Sequence, residues 1–183
     1  MSPKEKEKVL GEENVLEEIE RDLKNVARTL HDEALTKLVD YLCKELDRLV
    51  RSIYGEKPLI TVKLEPHTIR FVRYIPDAVI ECTYKRKKII LLIEVTSSVS
   101  RARIAYEYLS YLSRRISANN ITHALGIVLL LYDKESPLGF LLTKIRKSLS
   151  YYPSEGVVLI QTSREDMVEN LRKISHILSR IIK

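Results

Sequence analysis

Two acidic residues stand where strands should bring them together. Asp77 follows Ile75-Pro76 and opens a run, Asp77–Tyr84, of strand character; Glu94 ends the apolar run Ile89–Ile93. Between them lies the charged turn Lys85-Arg86-Lys87-Lys88. If Lys85-Arg86 forms a two-residue hairpin loop, positions summing to 171 face one another and Asp77 lies opposite Glu94. If Arg86-Lys87 is the loop, the sum is 173 and Asp77 faces Thr96. Either register sets Asp77 beside Glu94 and Thr96, which share a face because strand side chains alternate. Directly opposite Cβ atoms are about 5 Å apart. Two carboxylates at that spacing repel unless a cation stands between them. One or two acids are how proteins hold Mg²⁺ near phosphates, and a bound metal can activate water and stabilise charge at a scissile phosphate. A carboxylate at the end of a buried strand is costly unless paired or metal-bound. The plainer alternatives are that Glu94 emerges into solvent or pairs with Arg101 or Arg103.

The flanking sequence supplies elements to position these acids. Apolar residues recur at helical spacing from Val15 through Ile53, with neither Gly nor Pro between Glu12 and Tyr54. This predicts one long helix, or a pair broken near Thr29–Asp32 with Asp32 as N-cap, preceded by a frayed tail over 1–13. After Gly55 and Pro58 the period changes to two. Strands are expected at Leu59–Leu64, Thr68–Arg73, Asp77–Tyr84 and Ile89–Thr96, the last covered on both faces. Ser97, Ser98 and Ser100 offer N-caps for a helix over Arg101–Ile116. Leu125–Tyr132 reads as a buried strand and Ser136-Pro137 as the start of a helix through Tyr151. Gly156–Gln161 reads as a short strand, and Thr162 or Ser163 as the cap of a last helix. The order predicts an α/β (α+β) fold: a central mixed sheet flanked by helices, its first strands antiparallel and its later ones parallel. A helical segment over 1–57, packing on the core or forming a dimer seam, precedes a core over 58–183.

Composition bounds the function. The 183 residues suit one ordinary domain, and the ionic, Gly-poor composition is weakly that of a thermophile. The net charge of +6 is uneven: residues 1–57 carry 11 Lys and Arg against 14 Asp and Glu, and residues 58–183 carry 20 against 11. The basic excess of the second part points to a polyanionic partner such as nucleic acid, the alternative being a solvated basic surface with no partner. Met1–Lys8 is polar and unlike a signal peptide, and the longest apolar stretch, Ala124–Tyr132, falls far short of the roughly 20 residues of a bilayer span. No membrane role is expected. Cys43 and Cys82 show no zinc or disulfide spacing and suit reduced thiols in a cytoplasmic protein. No Gly-rich phosphate loop or dinucleotide fingerprint is present, which disfavours ATPases and dehydrogenases.

Ile75-Pro76-Asp77, a hairpin, then Ile93-Glu94-Val95-Thr96 resembles the PD-(D/E)XK, restriction-endonuclease-like nuclease superfamily. The following Ser97-Ser98-Val99-Ser100-Arg101 is similar to archaeal members whose strand ends in Glu-Val-Lys-Ser-Ser. The resemblance covers roughly Leu59–Ile160 and implies a restriction-endonuclease-like core. It also implies Mg²⁺- or Mn²⁺-dependent hydrolysis of DNA phosphodiesters. Asp77 and Glu94 would be metal ligands, the Val95 carbonyl would complete the site, and Thr96 would stand at the third motif position. That position is normally Lys, and Thr has no charge with which to steady a developing anion. A cation from Arg101 or Arg103, weak cleavage on metal alone, or loss of catalysis with retained binding are the three ways to accommodate it. Many members also take an acid from the first helix, for which Asp40, Glu45 and Asp47 are candidates.

The remaining candidates are contacts to nucleic acid. Lys85, Arg86, Lys87 and Lys88 form a basic hairpin tip that would meet phosphates or protect a sheet edge. Arg101, Arg103 and Tyr106, with Tyr108, Tyr111, Arg114 and Arg115, place aromatics among arginines on the next helix, an arrangement that can stack bases and hold phosphates. The alternative is that Tyr108 and Leu112 face the core. A homodimer would suit cutting two strands. A DNA-binding or assembly module without catalysis is the rival function.

Overall fold

The computed structural model describes residues 3–64, 75–117, 121–133, 149–152 and 155–183, with side chains of the first helix described from Arg28 on. Helix α1 runs unbroken over Pro3–Tyr54. It includes the expected tail, and Asp32 lies inside it rather than capping a second helix. The uninterrupted run of helix formers is the reason: no Pro or additional Gly intervenes to end it. The chain falls into two compact units, Met1–Ala34 and Leu35–Lys183. The first unit is the N-terminal part of α1.

Among the described residues the second unit is built on six strands: β1 Leu59–Leu64, β2 Ala78–Tyr84, β3 Lys87–Thr96, β4 Thr122–Leu131, β5 Leu149–Tyr152 and β6 Val157–Thr162. Their order across the sheet is β1-β2-β3-β4-β6-β5. β1, β2 and β3 are antiparallel neighbours, β3, β4 and β6 are parallel, and β5 returns antiparallel to β6. The expected α+β class with a mixed, helix-flanked sheet is therefore present. The expected strand over Thr68–Arg73 lies outside the described residues, as does the start of the helix expected from Ser136. The end of that helix is corrected: Leu149–Tyr152 is strand β5, where two adjacent tyrosines suit a pleated edge and pair with Val157 and Val158.

Helix α2 spans Val99–Ile116, with Ser98 as N-cap accepting a hydrogen bond from the Arg101 amide. It bridges β3 and β4 and covers one sheet face. Val79, Leu92, Val128 and Val157 meet Ala102, Ala105, Leu109 and Leu112 there. Gly126 sets how near the layers come. A Cβ at Gly126 would stand 2.8 Å from Leu109 Cβ and 3.1 Å from Val157 Cγ2. The opposite face buries Ile80, Cys82, Leu91 and Ile93. The C-terminal part of α1 contributes buried Leu38, Leu42, Leu46 and Leu49.

The last helix is two helices, α3 Met167–Arg172 and α4 Ile174–Ile182, broken at Lys173. The N-cap of α3 is Asp166 rather than the expected Thr162 or Ser163, and Ser163 instead ties the preceding turn. Its hydroxyl accepts from the Asp166 amide at 3.2 Å and reaches the Asp166 carboxylate at 3.1 Å. α4 ties back to the rest of the unit through Tyr54 and Tyr84, whose hydroxyls both donate to the Ile182 carbonyl. Among the described residues no helix is long and apolar enough to cross a membrane.

Candidate metal site and nucleic-acid interface

The β2–β3 turn takes the first of the two registers, with Lys85-Arg86 as its loop. Tyr84 pairs with Lys87 and Ala78 with Ile93, so positions sum to 171. Lys85 and Arg86 both have positive φ, 40° and 64°, as a two-residue hairpin loop of the primed type requires. One step beyond Ala78 and Ile93 the same register sets Asp77 level with Glu94. Both carry the parity of Val79 and Leu92, so both belong to the face that α2 covers.

The backbone holds the pair in place. The Val95 amide donates to Asp77 Oδ2 at 2.8 Å. This bond latches the bend after Pro76 onto the end of β3 and fixes the Asp77 carboxylate beside Glu94. Asp77 is half-buried, whereas Glu94 is only 3% exposed. Glu94 therefore does not emerge into solvent. Two carboxylates with oxygen donors alone match the modest protein ligation that Mg²⁺ or Mn²⁺ takes, with water or phosphate completing the shell. Among the described residues no group of three or more His, Cys, Asp or Glu could hold a metal. A cation here would rest on the two acids and the Val95 carbonyl.

Thr96 is buried beside them, and its hydroxyl accepts from the Ser98 amide at 3.1 Å. This closes the turn into α2. The three first-helix acids are engaged by cations of their own helix: Asp40 with Lys44, Asp47 with Arg51, and Glu45 with Arg48. Glu45 is the buried one. Its hydrogen bonds from Arg48 and from Ser175 of α4 hold its carboxyl below the usual range. It clamps α1 to α4.

A third acid on the site face escaped sequence reasoning. Glu81 follows Asp77 and Val79 at strand alternation, and that parity was the available signal. Lys88 and Lys63 flank it at 2.5 Å and 3.1 Å and hold its carboxyl below the usual range. Lys88 thus serves a charge cluster on the sheet. Lys85 and Lys87 lie over the Tyr54 ring at 4.9 Å and 5.9 Å, and the Lys85 and Arg86 side chains are exposed.

On α2, Arg101 and Arg103 are exposed, and Arg103 pairs with Glu107. Tyr106 packs half-buried against the core, and its hydroxyl donates to Glu155 in the β5–β6 turn. Leu112 is buried as one alternative had it, but Tyr108 is 39% exposed and Tyr111 49%. The structure thus brings Asp77, Glu94, Val95 and Thr96 together. The hairpin tip lies at the opposite end of β2 and β3, whereas Arg101 and Arg103 follow the site's strand in the first turns of α2. Comparison of the chain with protein-family models, curated proteins and solved structures finds no match.

Proposed function

We propose that this protein is a divalent-metal-dependent DNA endonuclease with a restriction-endonuclease-like core. The observation that carries the reading is the latch between the Val95 amide and Asp77, which holds one carboxylate in register with a second, buried one. Asp77 and Glu94 would hold Mg²⁺ or Mn²⁺, with the Val95 carbonyl as third ligand. A cation so held lowers the pKa of bound water and stabilises charge on a phosphate. The chain's own residues do the rest. Val95 orients Asp77, and the packed face beneath α2 keeps bulk water from Glu94. Arg101, in the first turn of α2, is the cation available for phosphate. The net charge of +9 on residues 58–183 supports a polyanionic substrate.

One observation favours a second reading, a degenerate nuclease fold kept for binding DNA. The third motif position is Thr96, and its hydroxyl is engaged in the turn to Ser98. Titration with Mn²⁺ followed by electron paramagnetic resonance tests what both readings share. Both expect bound Mn²⁺ that Glu94→Gln releases. Equal Mn²⁺ binding by wild type and Glu94→Gln would remove the metal site and the nuclease reading with it.

A further inference from the structure

The exposed side of α2 carries one continuous stripe. Arg101, Ile104, Tyr108, Tyr111 and Arg115 follow one another at intervals of three and four residues, and so line one side of the helix. The three central side chains are large and open to solvent: Ile104 is 49% exposed, Tyr108 39% and Tyr111 49%. Both terminal arginines are exposed, and Arg115 Nη1 donates to the Tyr111 hydroxyl at 2.9 Å. Core packing does not require these residues, because Ala102, Ala105, Leu109 and Leu112 supply the buried side. Exposed aromatics between cations at helical spacing have two natural occupants: another helix or a nucleic-acid strand. Charge decides between them. Antiparallel pairing of α2 with a second copy about Tyr108 would set Arg101 against Arg115 of that copy. Parallel pairing would set each arginine against its twin. A polyanion reverses the sign of both contacts.

We infer that this stripe binds single-stranded nucleic acid, with bases stacked on Tyr108 and Tyr111 and phosphates held by Arg101 and Arg115. The inference rests on the nucleic-acid reading above and names the form of the substrate. From Arg101 to Arg115 the helix rises about 21 Å, room for roughly five or six stacked nucleotides. A duplex keeps its base faces inside the stack and leaves the tyrosines nothing to stack on. Unpaired bases use both halves of the stripe.

The test is fluorescence anisotropy on the full chain in EDTA, using a labelled oligothymidine and a duplex of equal length. Oligothymidine is expected to bind more tightly than the duplex. Tyr108→Ala and Tyr111→Ala should each weaken oligothymidine binding about 5- to 100-fold, while the Phe variants retain it. Arg101→Gln and Arg115→Gln should each lower the slope of log affinity on log salt by about 0.7. Four results would overturn the inference: no binding by wild type, equal binding of duplex, unchanged affinity in both Ala variants, or a change of oligomeric state in those variants by light scattering. The last would assign the stripe to a second copy. Because EDTA removes cleavage from the readout, tyrosine-dependent binding by a chain that never cuts would sink only the endonuclease reading.

Discussion

Replacing Asp77 by Asn and by Ala separates two jobs of one carboxylate. Its Oδ2 accepts the Val95 amide at 2.8 Å, and Val95 is only 2% exposed. Asn keeps an acceptor there and removes the charge; Ala removes both. Leaving a buried amide without its charge-assisted partner costs about 1.5–3 kcal/mol. For a chain of this size that is roughly 3–12 °C in Tm. Asp77→Ala should therefore melt lower by that amount in EDTA, and Asp77→Asn should stay within about 1 kcal/mol of wild type. Adding Mn²⁺ to about 100 times its Kd should stabilise wild type by about 2.7 kcal/mol and neither variant. Denaturant unfolding with and without Mn²⁺ reads all three. An Asn variant as unstable as the Ala variant would show that the latch depends on the charge. Full Mn²⁺ stabilisation of Asp77→Asn would refute the ligand role.

Gly126→Ala should cost about 1–3 kcal/mol by urea unfolding, because its Cβ would stand 2.8 Å from Leu109 Cβ and α2 must shift. Thr96→Val should lose about 0.5–1.5 kcal/mol with the bond to the Ser98 amide, yet change any cleavage rate less than tenfold. A larger rate loss would give the hydroxyl a catalytic part. Burial pushes the Cys82 thiol and the Tyr84 hydroxyl up to about 12, from 9.0 and 10.0. Above pH 9 the unfolded chain releases protons that the folded chain keeps. Stability should fall as pH rises toward 12, by up to about 1.4 kcal/mol per pH unit for each group. Urea midpoints at pH 8 and pH 10.5 read this, and Cys82→Ala should flatten the part of the decline that begins at pH 9.

The sheet was legible where local pattern and burial agree. Strand alternation in Asp77–Tyr84 and the apolar run before Glu94 gave the hairpin, its two permissible registers and the acid pair. The choice between registers was not legible, because Lys85 and Arg86 are not residues that favour positive φ. The turn is set by its strands. Leu149–Tyr151 read as the end of a helix because the segment's role depends on pairing with β6, a contact with no local signature. The break at Lys173 was hidden by an apolar stripe that continues through it. Glu45 looked like any helix-surface acid, and only the arrival of Ser175 from α4 makes it a buried clamp. Tyr108 shows the opposite case. One of its two readings set it in the core, but Ala102, Ala105, Leu109 and Leu112 fill that side of α2 and Tyr108 is 39% exposed.

Cleavage itself tests the central claim most directly. Plasmid, linear, single-stranded and branched DNA would each be incubated with the full chain in Mg²⁺, Mn²⁺ or EDTA, beside Asp77→Asn and Glu94→Gln prepared identically. The account predicts cutting of at least one substrate that needs the metal and is lost in both variants. Cutting that survives in both variants, or no cutting by wild type on any substrate, would contradict it.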